Sequence, residues 1–406
     1  MIPVNEAVQI VLEKTERLAP ERVRLEESLG RVLAEDVFAD TDLPPFDRAQ
    51  MDGYAVRSAD LGEVPASLRV VGEAAAGRGW PGSLGAREAV RIMTGAPLPT
   101  GADSVQQVEV TRESEDGSTV VVERATEPGQ FFVKRASEIR AGERVLARGE
   151  EVNAARTAAL ASFGCAEVSV GRRPRVAVLA TGTELVRVDE KPGPDQIRDS
   201  NTYSLAAYAR LAGASVEALP FAGDEADLLA RVAREAAARS DLLVLSGGVS
   251  MGRYDFTKAA LHALGAEIFF ERVALRPGKP TVFARLTHEG RRVLVFGLPG
   301  NPVSVSVTFN LFARTALRAM QGATQPALAE EHAVLSRPAR GTPERTSYLP
   351  AALSTDWEGR LMAEPLKWGG SSDFVAFARA AALVRLPAGA GRVEAGTTVR
   401  LVRLPG

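Results

Sequence analysis

Four short stretches in the second half of the chain combine residue types that handle anions and hard cations. ATGTEL (180–185) places Glu184 just past an apolar run. LSGGVSMGRYDFTK (245–258) contains Gly247 and Gly248, whose backbone N–H groups can approach an anion, and carries Asp255 near the next helix start. ALRPGKP (274–280) offers Arg276 and Lys279 around a Pro-Gly turn. GLPGNPVSVSV (297–307) ends an apolar run and opens a helix, with Asn301 as N-cap, Pro302 at the first helical position and Ser304 in the first turn. Such a helix start is a second ready anion site. Singly, each has an ordinary explanation: Gly-Gly is often a tight strand-to-helix turn, and a lone lysine is usually solvated. Their joint placement argues for a site. Arg276, Lys279 and the helix start invite phosphate or another oxyanion, whereas Glu184, Asp224 (in FAGDE) and Asp255 repel it. A divalent hard cation between carboxylates and phosphate removes the conflict, so the residues predict Mg²⁺ with a phosphorylated ligand. A unit-charge pair at about 4 Å and a dielectric near 20 is worth about 4 kcal/mol. A helix terminus supplies about 0.3–1 kcal/mol, so metal and lysine should dominate over the helix dipole.

These loops need strands to carry them. The apolar runs RPRVAVLAT, ASVEALPFA, DLLVLSGG, EIFFERVAL and RRVLVFGLPG alternate with helical patterns over 201–211, 225–239, 257–264 and 302–320. That alternation predicts a doubly wound, mostly parallel α/β sheet domain over 172–322, with ligands beyond the carboxyl ends of its strands. Short β-like runs (68–71, 89–92, 104–110, 119–123) punctuated by Gly and Pro predict an inserted β-rich domain over 39–138. The helical spacing of 4–18 and the texture of 141–164 predict a discontinuous helical linking domain from 1–38 and 139–171. Five short strands (333–337, 346–353, 360–365, 381–386, 397–403) predict a C-terminal small β-barrel or sandwich over 323–406. The expected fold class is multidomain α/β plus β. Within the inserted domain, PPFDRAQMDGYAV (44–56) sets Asp52 before Gly53, and RIMTGAPLPTGADSVQQVE (91–109) sets Thr94 and Gly95 on a Pro/Gly-rich loop. A hairpin turn would account for Asp-Gly locally. A domain closing over the strand-end site as wall or lid would account for both Asp52 and Thr94.

Composition narrows the classes. With 45% hydrophobic and 25% charged residues and a net charge of −2, the chain of 406 residues reads as soluble and globular, with no sign of non-specific nucleic-acid binding. The lone Cys165 rules out an intramolecular disulfide and reads as a small core residue of a protein in a reducing cytoplasm. Three histidines and one cysteine fit a nitrogen/sulfur zinc site poorly, leaving hard, oxygen-bound metals. The start MIPVNEAVQI lacks signal-peptide features, and no apolar run reaches the ~20 residues needed to cross a bilayer. A cytoplasmic location without membrane or nucleic-acid partners is expected.

Together, DLPPFDRAQMDGYAV, RIMTGAPLPTGADSV, ATGTEL, LSGGVSMGRYDFTK, RPGKP and GLPGNPVS resemble the molybdopterin molybdenumtransferases, the family of bacterial MoeA and the gephyrin E domain. The resemblance covers nearly the whole chain, in order. It implies a four-domain, elongated homodimer whose site lies between the sheet domain of one subunit and the inserted domain of the other. It also implies the reaction: adenylylated molybdopterin and molybdate give molybdenum cofactor, with AMP released and Mg²⁺ required. By the same resemblance, Asp52, Thr94, Glu138, Asp224 and Lys279 are catalytic, and Glu184 and Asp255 hold the metal. Ser246, Gly247, Gly248, Ser250, Arg276, Pro299, Asn301, Pro302, Ser304, Arg345 and Ser371 bind the cofactor substrates. Molybdopterin adenylyltransferase and molybdoenzyme maturation proteins are candidate partners.

Some positions depart from the family pattern. Arg276 stands where many members have lysine, exchanging a point charge for a planar fork. The family's Gly-Glu-Asp after an arginine reads Ala136-Ser137-Glu138 after Arg135. A second arginine falls at Pro350, and a later serine at Val375 or Ala376, none of whose side chains can donate to an oxyanion. A different oxyanion, such as tungstate, therefore stays open. Two alternatives share the same features: an adenylyltransferase acting on molybdopterin, since related one-domain proteins have the sheet and the Gly-Gly loop, and a non-catalytic scaffold or binding paralogue.

Overall fold

The structure, a computed structural model, describes residues 1–223, 225–248 and 256–405. The chain forms two compact units. One holds 1–35, 148–154 and 167–406; the other holds 36–147 and 155–166.

The first unit is organised around a six-stranded sheet. Its elements are α1 (Val4–Lys14), β1 (Arg175–Ala180), α2 (Asn201–Leu211), β2 (Ser215–Ala218), α3 (Ala226–Ala237), β3 (Leu242–Ser246), α4 (Phe256–Ala263), β4 (Glu267–Phe270), β5 (Val282–His288), β6 (Arg291–Leu298), α5 (Pro302–Thr308) and α6 (Arg314–Met320). The strand order is β2-β1-β3-β6-β5-β4. The pairings β2–β1, β1–β3 and β3–β6 are parallel, and β6–β5 and β5–β4 are antiparallel. The expected mostly parallel, doubly wound sheet is present. Strand β5, VFARLTH, was not anticipated, because its second half is polar and it returns to β6 through a two-residue turn at Glu289-Gly290.

Burial explains the near-continuous apolar runs, since a sheet covered on both faces needs apolar groups on both. Val176, Val178, Leu242, Val244 and Phe296 pack in one layer with α1, α2, α5 and α6. Their neighbours Ala177, Leu179, Leu243, Leu245 and Val295 pack in the other with α3 and α4. Each such Val or Leu contributes about 1.5–3 kcal/mol by leaving water.

The five C-terminal strands, Glu330–Leu335, Thr346–Thr355, Leu361–Pro365, Ala382–Leu386 and Thr398–Arg403, pair in a closed ring, so the barrel expectation holds. Tyr348, Phe377, Leu383 and Val402 of this barrel share the hydrophobic core of the sheet. A short parallel pairing of Leu275–Arg276 with Thr346–Ser347 ties the Arg276 loop to the barrel. Pro350 is buried in a barrel strand opposite Leu383, its carbonyl accepting from the Leu366 N–H. Val375 is 70% exposed on a one-turn helix.

The flanks 1–38 and 139–171 carry strand pairs as well as the expected helices. Pro20–Arg24 pairs antiparallel with Glu167–Gly171, and Val37–Phe38 with Arg144–Leu146. The period-2 alternation of PERVR, visible in its burial, outweighs the helical texture around it.

The second unit is built on a six-stranded sheet in the order Ser104–Gln107, Gly53–Val56, Glu88–Ile92, Ala66–Ala74, Thr119–Val122, Thr111–Glu113. The bend at Asp52 is not a hairpin. Arg48–Ala49 before it pairs with Phe132–Val133, whereas Gly53–Val56 after it lies between two other strands. A Cβ on Gly53 would sit 2.0 Å from the Gln106 carbonyl oxygen, so only glycine begins this strand.

Two stability predictions follow from these contacts. Ala136 is left-handed at φ 59° where the family pattern has glycine. Ala136→Gly should raise stability by about 0.5–1 kcal/mol, the relief of Cβ strain less the extra unfolded-chain entropy; an unchanged or lower urea midpoint contradicts this. At the amino-terminal end of β3, the carboxylate of Asp241 is 8% exposed. It accepts from Arg172 at 3.0 Å through both oxygens and from the Arg175 N–H at 2.8 Å. Burial pushes the Asp241 carboxyl up, but these hydrogen bonds together outweigh burial and hold it below the usual range. Asp241→Asn should cost about 2 kcal/mol at neutral pH. A carboxylate depressed in the folded state stabilises above its unfolded pKa of about 4 and loses that contribution as pH falls through its lower native value. The gap between variant and parent should therefore shrink in acid; a pH-independent gap in urea titrations would contradict the assignment.

Candidate functional site

The parallel register sets Ala180, Ser246 and Leu298 side by side at the carboxyl ends of β1, β3 and β6. The next N–H groups continue the ladder: Thr181 donates to the Ser246 carbonyl at 2.8 Å, and Gly247 to that of Leu298 at 3.1 Å. Three loops thus leave the sheet at one level. They line a cleft of about 650 Å³ together with the start of α2. Thr181, Gly182 and Glu184 come from the first loop, Ser246–Gly248 from the second and Pro299–Pro302 from the third, with Asp199–Asn201 before and at α2. Gly247 and Gly248 are both left-handed, at φ 99° and 64°. A Cβ on Gly247 would meet the Thr181 carbonyl oxygen at 2.4 Å, so glycine here is a packing requirement. Glu184 is exposed at the mouth of the cleft.

The Asn201 amide was not anticipated as part of this site. Its Nδ2 donates to Ser246 Oγ at 2.9 Å and to the Gly300 carbonyl at 2.7 Å, fastening the second and third loops. Asp199 beside it accepts from the Thr202 N–H at 3.1 Å and caps α2. The signal was the run RDSN immediately before a helical pattern, a cap signature that also places an amide at a sheet edge.

A second cavity of about 310 Å³ adjoins the first and shares Pro280, Pro299 and Asn301 with it. Arg276, Lys279, Ser304, Arg345, Trp368 and Ser371 line it. Gly278, at φ 111°, lets the Arg276 loop lie against α5, since a Cβ there would be 2.4 Å from Thr308 Cγ2. Asn301 occupies the N-cap position of α5, but its side chain does not cap. It donates to Ser371 Oγ at 2.9 Å, and the Val303 N–H is taken by the Ser371 carbonyl at 3.1 Å. The helix start is thus partly satisfied by the barrel rather than left open for an anion. Among the described residues, this cavity has three cations and no carboxylate in its walls, and no ion pair engages Arg276, Lys279 or Arg345. Among the described residues, Glu184 and Asp199 line the larger cavity beside the cation Arg198, whereas Arg276 and Lys279 line the smaller, which has no carboxylate in its wall.

Asp52, Thr94 and Glu138 lie in the second unit. Asp52 Oδ1 accepts from the Thr94 N–H at 2.6 Å and from Thr94 Oγ1 at 2.7 Å. The Thr94 backbone N–H first, then its hydroxyl, hold the Asp52 carboxyl below the usual carboxylate range. Glu138 is exposed, 3.8 Å from Arg48. Asp224, Ser250 and Asp255 lie outside the described residues. Among the described residues no three His, Cys, Asp or Glu side chains gather around a metal position. Mg²⁺ bound with a phosphorylated ligand needs only one or two protein carboxylates and keeps several waters, so the oxygen donor Glu184 fits it.

Comparison with known proteins converges on one family. Residues 2–164 match the MoeA N-terminal region (domain I and II), 177–319 the "Probable molybdopterin binding domain", and 332–404 the MoeA C-terminal region (domain IV). The chain is 37% identical over 407 residues to a molybdopterin molybdenumtransferase of Bacillus subtilis, covering 99% of this chain and 94% of that one. It is 34% identical over 405 residues to the protein of that name from Staphylococcus aureus, covering 99% and 95%. Two crystal structures of molybdopterin biosynthesis MoeA proteins from Pyrococcus horikoshii align over 100% of both chains, with TM-scores of 0.80 and 0.84 at 30% and 25% identity. With the two adjoining cavities at the strand ends, these matches establish that the chain belongs to the molybdopterin molybdenumtransferase (MoeA) family, transferases of molybdenum cofactor biosynthesis.

Proposed function

We propose that the protein inserts molybdate into adenylylated molybdopterin with Mg²⁺ present, releasing AMP, and that it does so as a cytoplasmic homodimer. The observation that carries this reading is the pair of adjoining cavities with shared walls, one glycine-lined at three strand ends and one lined by three cations. The pyrophosphate of the substrate belongs in the larger cavity. There the left-handed Gly247-Gly248 backbone allows close approach, and Asn201 keeps the walls aligned. Molybdate, the second substrate, belongs in the smaller, where Arg276, Lys279 and Arg345 supply charge and Ser304 and Ser371 supply hydroxyls. The shared residues Pro280, Pro299 and Asn301 put the two substrates in contact range. Glu184 would hold Mg²⁺, which when bound neutralises charge on the phosphoanhydride. Among the described residues no carboxylate lines the smaller cavity, so its three cations stand unopposed there.

The defining experiment incubates purified protein with adenylylated molybdopterin and molybdate, with and without Mg²⁺, and quantifies AMP and cofactor. AMP release that needs both molybdate and Mg²⁺ supports the reading; release without either overturns it. Lys279→Ala should raise the KM for molybdate about 10–100-fold, the worth of a charged hydrogen bond. A wild-type rate at limiting molybdate would remove this lysine from the mechanism.

The dimer reading rests on the family resemblance together with the Asp52–Thr94 pair. Thr94 offers two donors to a carboxylate already exposed, an arrangement that fixes an anionic group for use by something else. Mixing Asp52→Ala with Lys279→Ala subunits tests it. If each site draws Asp52 from one subunit and Lys279 from the other, hybrids hold one intact site and activity returns to about a quarter of the parent's. Mixtures as inactive as either variant alone would contradict a shared site.

A further inference from the structure

The loop Gly369–Asp373 is a wall of both cavities. Gly370 and Ser371 line the smaller one, and Ser372, the next residue, lines the larger. Consecutive residues share a peptide plane, so a shift of one is felt by the other.

Side chains hold this loop from two sides, in addition to the backbone bonds from the Asp373 N–H to the Gly370 carbonyl at 3.0 Å and from the Phe374 N–H to the Ser372 carbonyl at 2.9 Å. From the sheet side, Asn301 Nδ2 donates to Ser371 Oγ and the Val303 N–H to the Ser371 carbonyl. Because Ser371 Oγ already accepts from Asn301, its own O–H is left to donate toward the cavity it lines. From within the barrel segment, Asp373 ties the loop to itself. Oδ2 accepts from the Gly369 N–H at 2.7 Å, and Oδ1 from the Ala376 N–H at 3.1 Å. Asp373 is not in the wall of either cavity. The clasp is needed because Gly369 and Gly370 confer backbone freedom on the stretch that carries Ser371. Gly370 sits at φ 118° with nothing within 4 Å of a built Cβ, so its conformation, not its space, requires glycine.

We propose that Asp373 is a positioning residue for oxyanion capture, and that the loop it clasps couples the two cavities, so that a nucleotide in the larger changes the affinity for molybdate in the smaller. The inference rests on the reading of the smaller cavity as the molybdate site. Asp373 touches no substrate. It fixes the backbone from which the Ser371 hydroxyl projects on one side and Ser372 on the other. Any coupling is reciprocal: molybdate must change AMP affinity by the same factor.

The test uses the full chain and the fluorescence of Trp368, a wall of the smaller cavity, to follow molybdate titrations with and without saturating AMP. In the parent protein, AMP should shift the molybdate Kd about fivefold, the low end of ordinary coupling. Asp373→Asn, which exchanges an acceptor for a donor, should weaken molybdate about tenfold, as loss of an orienting partner does. It should also abolish the AMP shift, with thermal unfolding unchanged. Gly370→Ala, which strains the same loop through its backbone, should reproduce both effects. Variants that titrate like the parent with the AMP shift intact overturn the proposal, and an AMP shift below twofold in the parent overturns the coupling. Lys279→Ala separates the two layers. If it leaves molybdate binding unchanged, the reading of the cavity has failed; if it abolishes binding while Asp373→Asn behaves as the parent, only the present inference has failed.

Discussion

The site depends on the in-register termination of three parallel strands. Ala180, Ser246 and Leu298 end level, and the ladder runs one step further through Thr181 and Gly247 before the loops diverge. At that step the chains are too close for a side chain, since a Cβ on Gly247 would collide with the Thr181 carbonyl. Everything downstream follows from this convergence. It lets Asn201 reach both Ser246 and Gly300 with one amide, and it brings the Pro299–Asn301 turn beside the Gly-Gly loop. It also aims the start of α5 at the barrel, where Ser371 takes up the Val303 N–H. The shared core of Tyr348, Phe377 and Leu383 with Phe309 and Phe312 then fixes the barrel to the sheet, so the smaller cavity has two rigid walls.

In the second unit a similar close approach serves a different end. Gly53 starts its strand with no room for a Cβ against Gln106, which holds the preceding residue, Asp52, just outside the sheet. Thr94, from the turn after the neighbouring strand, reaches the same carboxylate oxygen with two donors. These two donors favour the charged form and hold the Asp52 carboxyl below the usual carboxylate range. A carboxylate fixed in direction, exposed and with no ion-pair partner among the described residues differs from an ordinary turn aspartate, which explains why Asp-Gly alone was ambiguous in the sequence.

Much of the fold was legible because its signals are local. The buried strands β1, β3 and β6 are continuous apolar runs, and the barrel strands fall within a few residues of their expected places. What could not be read depends on partners distant in sequence. Strand Gly53–Val56 is four residues long and is specified by its two neighbours, not by its own pattern. The ribbon strand PERVR is recognised as a strand only by pairing with residues nearly 150 positions away. Asn301 met every local rule for a capping residue, yet Ser371 offered a better partner 70 positions later. The separation of Glu184 from Arg276 and Lys279 is likewise tertiary: their loops follow different strands, and only the packed structure shows which side of Pro299 each occupies.

That separation bears on oxyanion choice. The departures from the family pattern at Pro350 and Val375 suggested altered anion recognition, on the premise that both positions face the anion. Pro350 instead lies buried on the strand face it shares with Tyr348 and its partner Leu383, away from the barrel interior lined by Leu349 and Ala351, and Val375 faces solvent; neither is in the wall of the smaller cavity. The residues that are in that wall, Arg276, Lys279, Arg345, Ser304 and Ser371, form a complete set of charged and hydroxyl donors. Molybdate and tungstate are tetrahedral dianions of nearly equal size, so under the proposed function a set that reads charge and shape would have little means of telling them apart. Arg276 in place of lysine adds a planar, bidentate donor but no element of size exclusion. Among the described residues the C-terminal segment presents Arg345, Trp368, Gly370 and Ser371 to the cavity, and neither Pro350 nor Val375, so those two departures give no ground for expecting a divergent oxyanion.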